Sequence, residues 1–280
     1  MDLIDTHCHL NFNAYKDDLD AVIQRTLDAG MRVINVGSQS STSQRAVDMA
    51  KQYPGKLFAA IALHPLHLFE TYVDEVEIPF KTREEVFDPA YYSNLAKQPG
   101  VVAIGECGLD YYRVPEGVEE AVFIKKQKAT LLQQIQLAQD HDLPMILHVR
   151  TSKEEPQRAY LETLDVLKHV GFNNGVVHCY TGDLETAKKI LDAGFMISFT
   201  GIITFPNAKE LLPIVQYVPM DRVMVETDSP YLAPPPYRGK RNEPLYVQYV
   251  AQKIAEVKGL QVSEVEEQTT GNAEKFFSLK

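Results

Sequence analysis

Short apolar runs alternate along this chain with longer segments in which apolar residues recur every three to four positions. The runs are Leu3–His7, Val33–Gly37, Leu57–Ala62, Val101–Gly105, Met145–His148, Gly175–His178, Phe195–Phe199 and Val223–Glu226. Their length suits strands. The intervening periodicity predicts helices over Leu19–Ala29, Thr42–Gln52, Gln127–His141, Tyr160–Val170 and Leu184–Ala193. Regular alternation of strand and helix predicts a parallel sheet. Eight such units fit the roughly 250 residues of a typical β/α barrel. The fold class expected is α/β, a (β/α)8 TIM-type barrel formed by one domain over residues 1–280, with the tail from Leu245 onward read as two extra helices that close it. Leu27-Asp28-Ala29-Gly30 and Leu191-Asp192-Ala193-Gly194 are near-copies, each placing Gly where a helix would end in a left-handed cap. Two stretches break the rhythm. His67 to Pro99 reads as a long acidic crossover mixing loop and helix, and Glu226 to Pro244 as a Pro-rich loop at the end of the eighth strand. Long loops at the C-terminal ends of barrel strands shape binding sites.

Composition narrows the setting. The 280 residues carry a formal charge of -10, so nothing global attracts a polyanion. Bound cations would reverse that locally. No basic stretch followed by an apolar core opens the chain, and no apolar run has the length of a membrane span. Three cysteines, Cys8, Cys107 and Cys179, are an odd number without paired spacing. That argues against a disulfide framework and for a reducing cytoplasm. Strand alternation would turn all three outward, under the helices, as small buried hydrophobes.

The candidate chemistry lies at the strand ends. His7 and His9 are separated by one residue and so share a face of the first strand. Glu106, His148, His178 and Asp228 follow the fourth, fifth, sixth and eighth apolar runs. A barrel gathers the C-terminal ends of its strands in one place. A lone core histidine is commonly structural, and one H-x-H is a common chance spacing. Six matched positions in barrel order are not. Imidazoles with carboxylates suit Zn, Mn, Fe or Co, and carboxylates with water also suit Mg. The expected arrangement has His7, His9 and Asp228 on one ion, His148 and His178 on a second, and Glu106 bridging. Two divalent ions (Mg, Mn or Zn) about 3.5–4 Å apart can hold a hydroxide between them and stabilise attacking and leaving oxygens. Asp228 and Glu106 are the candidate catalytic carboxylates, Asp228 as proton acceptor.

Candidate substrate contacts are His64, Arg150 and Arg238. His64-Pro65 follows the third strand. Arg150 lies two residues after His148, on the same face. Arg238 opens the basic stretch Arg238-Gly239-Lys240-Arg241 in the last long loop. Guanidinium groups match phosphate oxygens bidentately. His141 and His169 fall near helix ends, where solvation or the helix dipole accounts for them. His67 is left unassigned.

The chain resembles the TatD-type metal-dependent deoxyribonuclease family, within the amidohydrolase-like barrel superfamily. The likeness rests on Asp5-Thr6-His7-Cys8-His9-Leu10, His64-Pro65, Gly105-Glu106-Cys107-Gly108-Leu109-Asp110-Tyr111, His148-Val149-Arg150, His178-Cys179-Tyr180-Thr181-Gly182, Glu226-Thr227-Asp228-Ser229-Pro230-Tyr231-Leu232, Arg238-Gly239-Lys240-Arg241-Asn242-Glu243-Pro244 and Thr270-Gly271-Asn272-Ala273. It spans essentially the whole chain. The resemblance implies a two-metal hydrolase of DNA phosphodiesters, often an exonuclease. It places metal ligands at His7, His9, Glu106, His148, His178 and Asp228, and substrate contacts near His64, Arg150 and Arg238. Glu106 stands where some superfamily relatives carry a bridging modified lysine, so none is expected here. Leu63 before the His-Pro pair, the segment 151–155 and the long 67–99 crossover depart from the family's usual pattern. The expected activity is 3′-5′ exodeoxyribonuclease on single strands or strand ends, by a monomer without membrane partners. The alternative keeps the metals and changes the electrophile to a carbonyl, as in an aminoacyl-tRNA deacylase or another ester or amide hydrolase. A non-catalytic metal-binding protein is the third reading.

Overall fold

Side-chain alternation along the strands sorts the apolar residues into two layers. The computed structural model describes residues 3–70, 72–73, 80–82, 84–112 and 114–279. Its strands are β1 (Ile4–Cys8), β2 (Arg32–Val36), β3 (Leu57–Ile61), β4 (Tyr72–Val73), β5 (Phe80–Lys81), β6 (Val101–Asp110), β7 (Met145–Arg150), β8 (Gly175–Val177), β9 (Met196–Phe199) and β10 (Val223–Val225). The helices are α1 (Leu19–Asp28), α2 (Ser40–Gln52), α3 (Pro89–Ala96), α4 (Glu120–His141), α5 (Arg158–His169), α6 (Leu184–Asp192), α7 (Leu212–Tyr217), α8 (Val247–Lys258) and α9 (Val262–Phe276). Ile34, Val36, Phe58, Ala60, Ile146 and Met224 belong to one cluster inside the barrel. Their neighbours Ala59, Ile61, Met145, Leu147 and Val225 pack outward with the helices. Burying both faces of a parallel sheet accounts for continuous apolar runs where a one-sided sheet would alternate.

Eight parallel strands run in the order β1-β2-β3-β6-β7-β8-β9-β10. The seam between first and last is drawn together just past β10, where Asp228 N donates to His7 O at 2.9 Å and His9 N to Ser229 O at 2.7 Å. The result is a nearly closed (β/α)8 TIM barrel. At the opposite end, Ala273 and Phe277 pack on the inner cluster. Asn272 Nδ2 donates to Met220 O and Val223 O, both at 2.7 Å. The tail forms the two expected helices, α8 and α9. Gly30 and Gly194 adopt φ of 78° and 94°, as the twin helix-end motifs predict.

Three elements differ from the sequence reading. Helix α4 begins at Glu120 rather than Gln127. Its buried face carries Gln127, Thr130 and Gln134, which break the apolar periodicity. Strand β6 continues past Gly105 to Asp110. Its glycines resemble strand breakers but permit close packing on β7, since a Cβ at Gly108 would collide with the His148 carbonyl oxygen. The 67–99 crossover contains the short antiparallel pair β4–β5 and helix α3, whose Asp88 cap accepts from Ala90 N at 3.0 Å and Tyr91 N at 3.1 Å. Parts of that crossover lie outside the described residues. Among the described residues, no helix is long and apolar enough to cross a membrane.

Candidate metal centre

Each ligand reaches the centre by simple geometry. Ile4 lies in the inner cluster whereas Cys8, four residues on, packs outward with Leu10, Tyr15 and Val22; the pairing of β1 with β2 shifts register between Asp5 and Cys8, and that irregularity leaves His7 inward. In β6 the same kind of shift falls between Gly105 and Cys107, so Cys107 packs outward although Ala103 is in the inner cluster, and its neighbour Glu106 turns inward. Cys179 corrects the expectation for the cysteines. β8 ends at Val177, Cys179 adopts φ 46°, and its side chain lines the same cavity as the ligands. Alternation does not extend beyond the strand. Burial pushes the Cys179 thiol up to about 12, so it stays protonated. All three cysteines are free.

Glu106 is the hub. Its Oε1 lies 2.6 Å from His148 Nδ1 and 2.8 Å from His178 Nε2. Its Oε2 faces the other pair, 3.5 Å from His7 Nε2 and 3.7 Å from His9 Nε2. Asp228 Oδ1 completes that half, 3.6 Å from His7 Nε2 and 3.4 Å from His9 Nε2. Asp228 sits in the loop after β10 at φ 55°. The sequence-predicted ligands therefore all converge, one Glu106 oxygen to each half. The donors fit metal ions. Atoms bound to one ion at about 2.0–2.2 Å lie roughly 3–3.6 Å apart. The His7–His9 and His148–His178 nitrogen pairs are 3.2 and 3.4 Å apart. Ligand triads His7/Glu106/His178 and His7/His9/Asp228 each have their donor atoms within 4.8 Å of one another. The Glu106–His148 contact has hydrogen-bond length and would open by several tenths of an ångström around an ion.

The electrostatics follow the same division. Burial raises the Glu106 carboxyl, but the imidazoles of His64, His178 and His148 together outweigh it and hold it well below the usual range. Burial also opposes charge on His148 and His178, yet Glu106 and an outer carboxylate behind each ring raise both. His7 is lowered by burial and by His178. Asp228 is lowered: burial works against this, but the hydrogen bond from His9 and the charges of His7 and His178 prevail.

His64 sits at the edge of this hub. Its Nδ1 accepts from Leu66 N at 3.1 Å, which leaves the proton on Nε2, 3.3 Å from Glu106 Oε1. His64 is thus a donor aimed at the centre. The centre forms the floor of a cavity of about 700 Å³, within the range of ligand pockets. His67 and Arg150 line it as well. The Arg150 guanidinium stacks 4.0 Å over the Tyr112 ring. Arg238 is not brought to the cavity. It is exposed, stacks 3.8 Å over Phe205 and donates to Ala233 O at 3.1 Å. Arg241 is held by Asp18 at 2.7 and 2.6 Å, fastening the loop to the start of α1. Proximity in sequence to Asp228 had made that basic stretch look like phosphate chemistry.

Several participants escaped the sequence reading. Asp110 Oδ2 stands 3.0 Å from His148 Nε2, and Glu226 Oε1 3.3 Å from His178 Nδ1. Asp5 ties the seam, accepting from His7 N, Thr227 N and Thr227 Oγ1. Two glutamines of α4 act as clamps. Gln127 pairs with both backbone groups of Asp110, each at 2.8 Å, and Gln134 with both of Leu63, at 2.9 and 3.0 Å. Arg45 reaches the cavity from α2 and donates to Asn13 Oδ1 at 3.2 Å. Even spacing was the available signal: Asp110 lies four residues after Glu106, and Glu226 two before Asp228.

A parallel barrel with imidazoles and carboxylates converging beyond its strand ends defines a metal-dependent hydrolase. Known proteins agree. YabD of Bacillus subtilis strain 168, an uncharacterized metal-dependent hydrolase, is 38% identical over 282 residues, covering 99% of each chain. YcfH of Escherichia coli K12, of the same description, is 35% identical over 285 residues, covering 100% of this chain and 97% of its own. The crystal structure of YjjV, a TatD homologue from Escherichia coli K12, superposes with a TM-score of 0.82 at 26% identity, over 99% of this chain and 98% of that one. The chain matches the family described as TatD related DNase over residues 4–278, and it belongs to that family.

Proposed function

We propose that the protein hydrolyses DNA phosphodiesters with two divalent ions (Mg, Mn or Zn), removing nucleotides from the 3′ end of single strands or strand ends. The observation that carries this reading is the Glu106 carboxylate, one oxygen turned to each imidazole pair, at the floor of a cavity that Arg45 and Arg150 also line. The ions, when bound, polarise the phosphoryl group and lower the pKa of water at the centre. Glu106 holds the two halves together. Asp228, kept anionic, accepts the proton of the attacking water. The water oxygen forms a bond to phosphorus as the bond from phosphorus to the 3′ oxygen of the remaining strand breaks; that oxygen leaves as a hydroxyl, protonated from solvent, while Asp228 returns its proton to solvent. His64 donates its Nε2 proton in a hydrogen bond to a non-bridging oxygen, and Arg150 orients a phosphate. Local cations matter in a chain of formal charge -10, because the global field opposes a polyanion. The buried hub favours a strand that can be threaded, hence ends and single strands. The cysteines, all free, fit a cytoplasmic setting.

The test uses metal-free protein reloaded with Mg, Mn or Zn and given single-stranded DNA labelled at its 5′ end, with Glu106→Ala alongside. The expected result is a ladder that shortens from the 3′ end and vanishes in Glu106→Ala. Retained metal without cleavage would reject the DNA reading and move the search to carboxylic esters, beginning with aminoacyl-tRNA.

A further inference from the structure

The halves of the metal centre differ in what stands behind them. Where Glu106 Oε2 points, the chain supplies His7, His9 and Asp228. Among the described residues nothing anionic backs those imidazoles: His9 Nδ1 pairs with Val36 O at 2.8 Å, and the buried His7 Nδ1 has no hydrogen-bond partner. Where Glu106 Oε1 points, the chain supplies His148 and His178, with His64 Nε2 3.3 Å from the same oxygen and no second carboxylate ligand among the described residues. Each of these rings has a carboxylate behind it: Asp110 at hydrogen-bond distance, 3.0 Å, and Glu226 at 3.3 Å in a charge contact that makes no hydrogen bond to His178 Nδ1. Both carboxylates are 1% exposed. Neither is placed by chance. Asp110 Oδ1 accepts from Tyr112 N at 2.9 Å while Gln127 clamps its backbone, and Glu226 Oε1 accepts from Cys179 N at 2.6 Å.

Buried carboxylates are costly unless matched to positive charge. Here the charge they face is the cation that the His148 and His178 rings would hold. A carboxylate behind a ligating imidazole fixes its tautomer and orientation and makes the ligating nitrogen a better donor. We propose that Asp110 and Glu226 are positioning residues that make the His148/His178 half a metal site, compensating for the carboxylate ligand that the other half has in Asp228. Without them the protein holds one ion, in the His7/His9/Asp228 half. This rests on the two-ion reading above and adds an unequal dependence of the two ions on outer carboxylates.

The experiment prepares the full-length chain metal-free as wild type, Asp110→Asn, Glu226→Gln and the double variant. Each is titrated with Mn by calorimetry and followed by electron paramagnetic resonance. Wild type is expected to bind two ions and show the spectrum of a coupled pair. Each single variant should weaken one ion by about 10- to 100-fold and leave the other unchanged. The double variant should bind one ion where wild type is saturated, with the spectrum of isolated Mn. Asn keeps the acceptor for Tyr112 N and turns an amide towards His148; Gln keeps for Cys179 N the same oxygen that faces His178, so it removes the charge alone, and melting of the metal-free variants checks the fold. The carboxylates lie on different segments, so either single variant tests the idea if the other misfolds. Two ions bound with wild-type affinity in the folded variants would overturn the inference while sparing the two-ion reading. Equal weakening of both ions would also overturn it, marking general loosening. A single ion in wild type would overturn both.

Discussion

Replacing Asp5 by alanine probes how the barrel closes beneath the metal centre. Asp5 is fully buried. Its Oδ1 accepts from His7 N at 3.2 Å and Thr227 N at 2.9 Å, and its Oδ2 from Thr227 Oγ1 at 2.5 Å. It therefore joins β1 to the segment after β10, one residue from the backbone pair between Asp228 N and His7 O. Alanine would leave two N–H groups and a hydroxyl without their acceptor in a dry interior. At about 1–3 kcal/mol for each of the three unsatisfied groups, the loss is roughly 3–9 kcal/mol. For a domain of this size that corresponds to roughly 6–36 °C in melting temperature. Burial raises the Asp5 carboxyl well above its usual value, with the Thr227 donors opposing it. An amide is the closest neutral replacement for this carboxyl group in size and shape. Asp5→Asn keeps one oxygen for the two N–H groups and turns an amide towards Thr227 Oγ1, at a cost of about 1 kcal/mol. Metal-free protein melted by circular dichroism gives the stability difference. Mn titration gives the functional one, since only the His7/His9/Asp228 half is anchored through Asp5. Alanine within 1 kcal/mol of wild type, or asparagine as damaging as alanine, would refute this account of the seam.

Gly108→Ala should destabilise the protein by about 2 kcal/mol or more, because its Cβ meets the His148 backbone and the strands must part. A melting curve that matches wild type would show that β6 tolerates a side chain there. Glu162 receives hydrogen bonds from Arg158 Nε and Tyr111 Oη, both at 2.8 Å, and pairs with Lys128 Nζ at 2.7 Å. Burial would raise its carboxyl, but these partners bring it down to about 2. A lowered carboxylate stabilises the fold above its unfolded value, near pH 4.5, and that contribution fades as pH falls from there towards 2. Glu162→Gln should therefore cost about 1–2 kcal/mol at pH 7, after discounting for solvent screening, and about a quarter of that near pH 2.5. Chemical denaturation at the two pH values reads the difference; an equal loss at both would exclude the electrostatic origin. Arg150→Ala should raise KM for oligonucleotides by about 10-fold or more with little change in kcat, and flatten the salt dependence by about one phosphate contact. A fall confined to kcat would instead place Arg150 at the reacting atoms.

The barrel and its ligands were visible in the sequence for one physical reason. Strands buried on both faces leave unbroken apolar runs, and a polar ligand ending such a run stands out. His7, His148 and His178 end their runs, and Asp228 lies two residues past the eighth. The supporting groups were hidden because each mimics a different feature. Asp110 lies beyond Gly108, and a glycine inside a run looks like an end. Glu226 reads as the first polar residue of a loop. Gln127 and Gln134 look like solvent-facing positions of a helix, although both are 1% exposed and clamp backbone near Asp110 and His64.

The arginines show why charge is harder to read than alternation. Arg238 and Arg241 were attractive as a cluster beside Asp228, yet Arg241 is consumed by Asp18, and Arg238 covers Phe205 outside the cavity. Arg45 stands alone in the sequence and reaches the cavity because α2 follows β2 at the ligand-bearing end. A ligand on a strand inherits its direction from the two-residue period, which is written in its neighbours. A long side chain on a loop takes its direction from whichever carboxylate or ring it meets, and that partner is set by the tertiary fold. The same distinction separates the parts of the functional reading. The metal centre rests on strand geometry. The substrate contacts rest on Arg45, Arg150 and His64, and the cleavage and salt-dependence measurements must decide them.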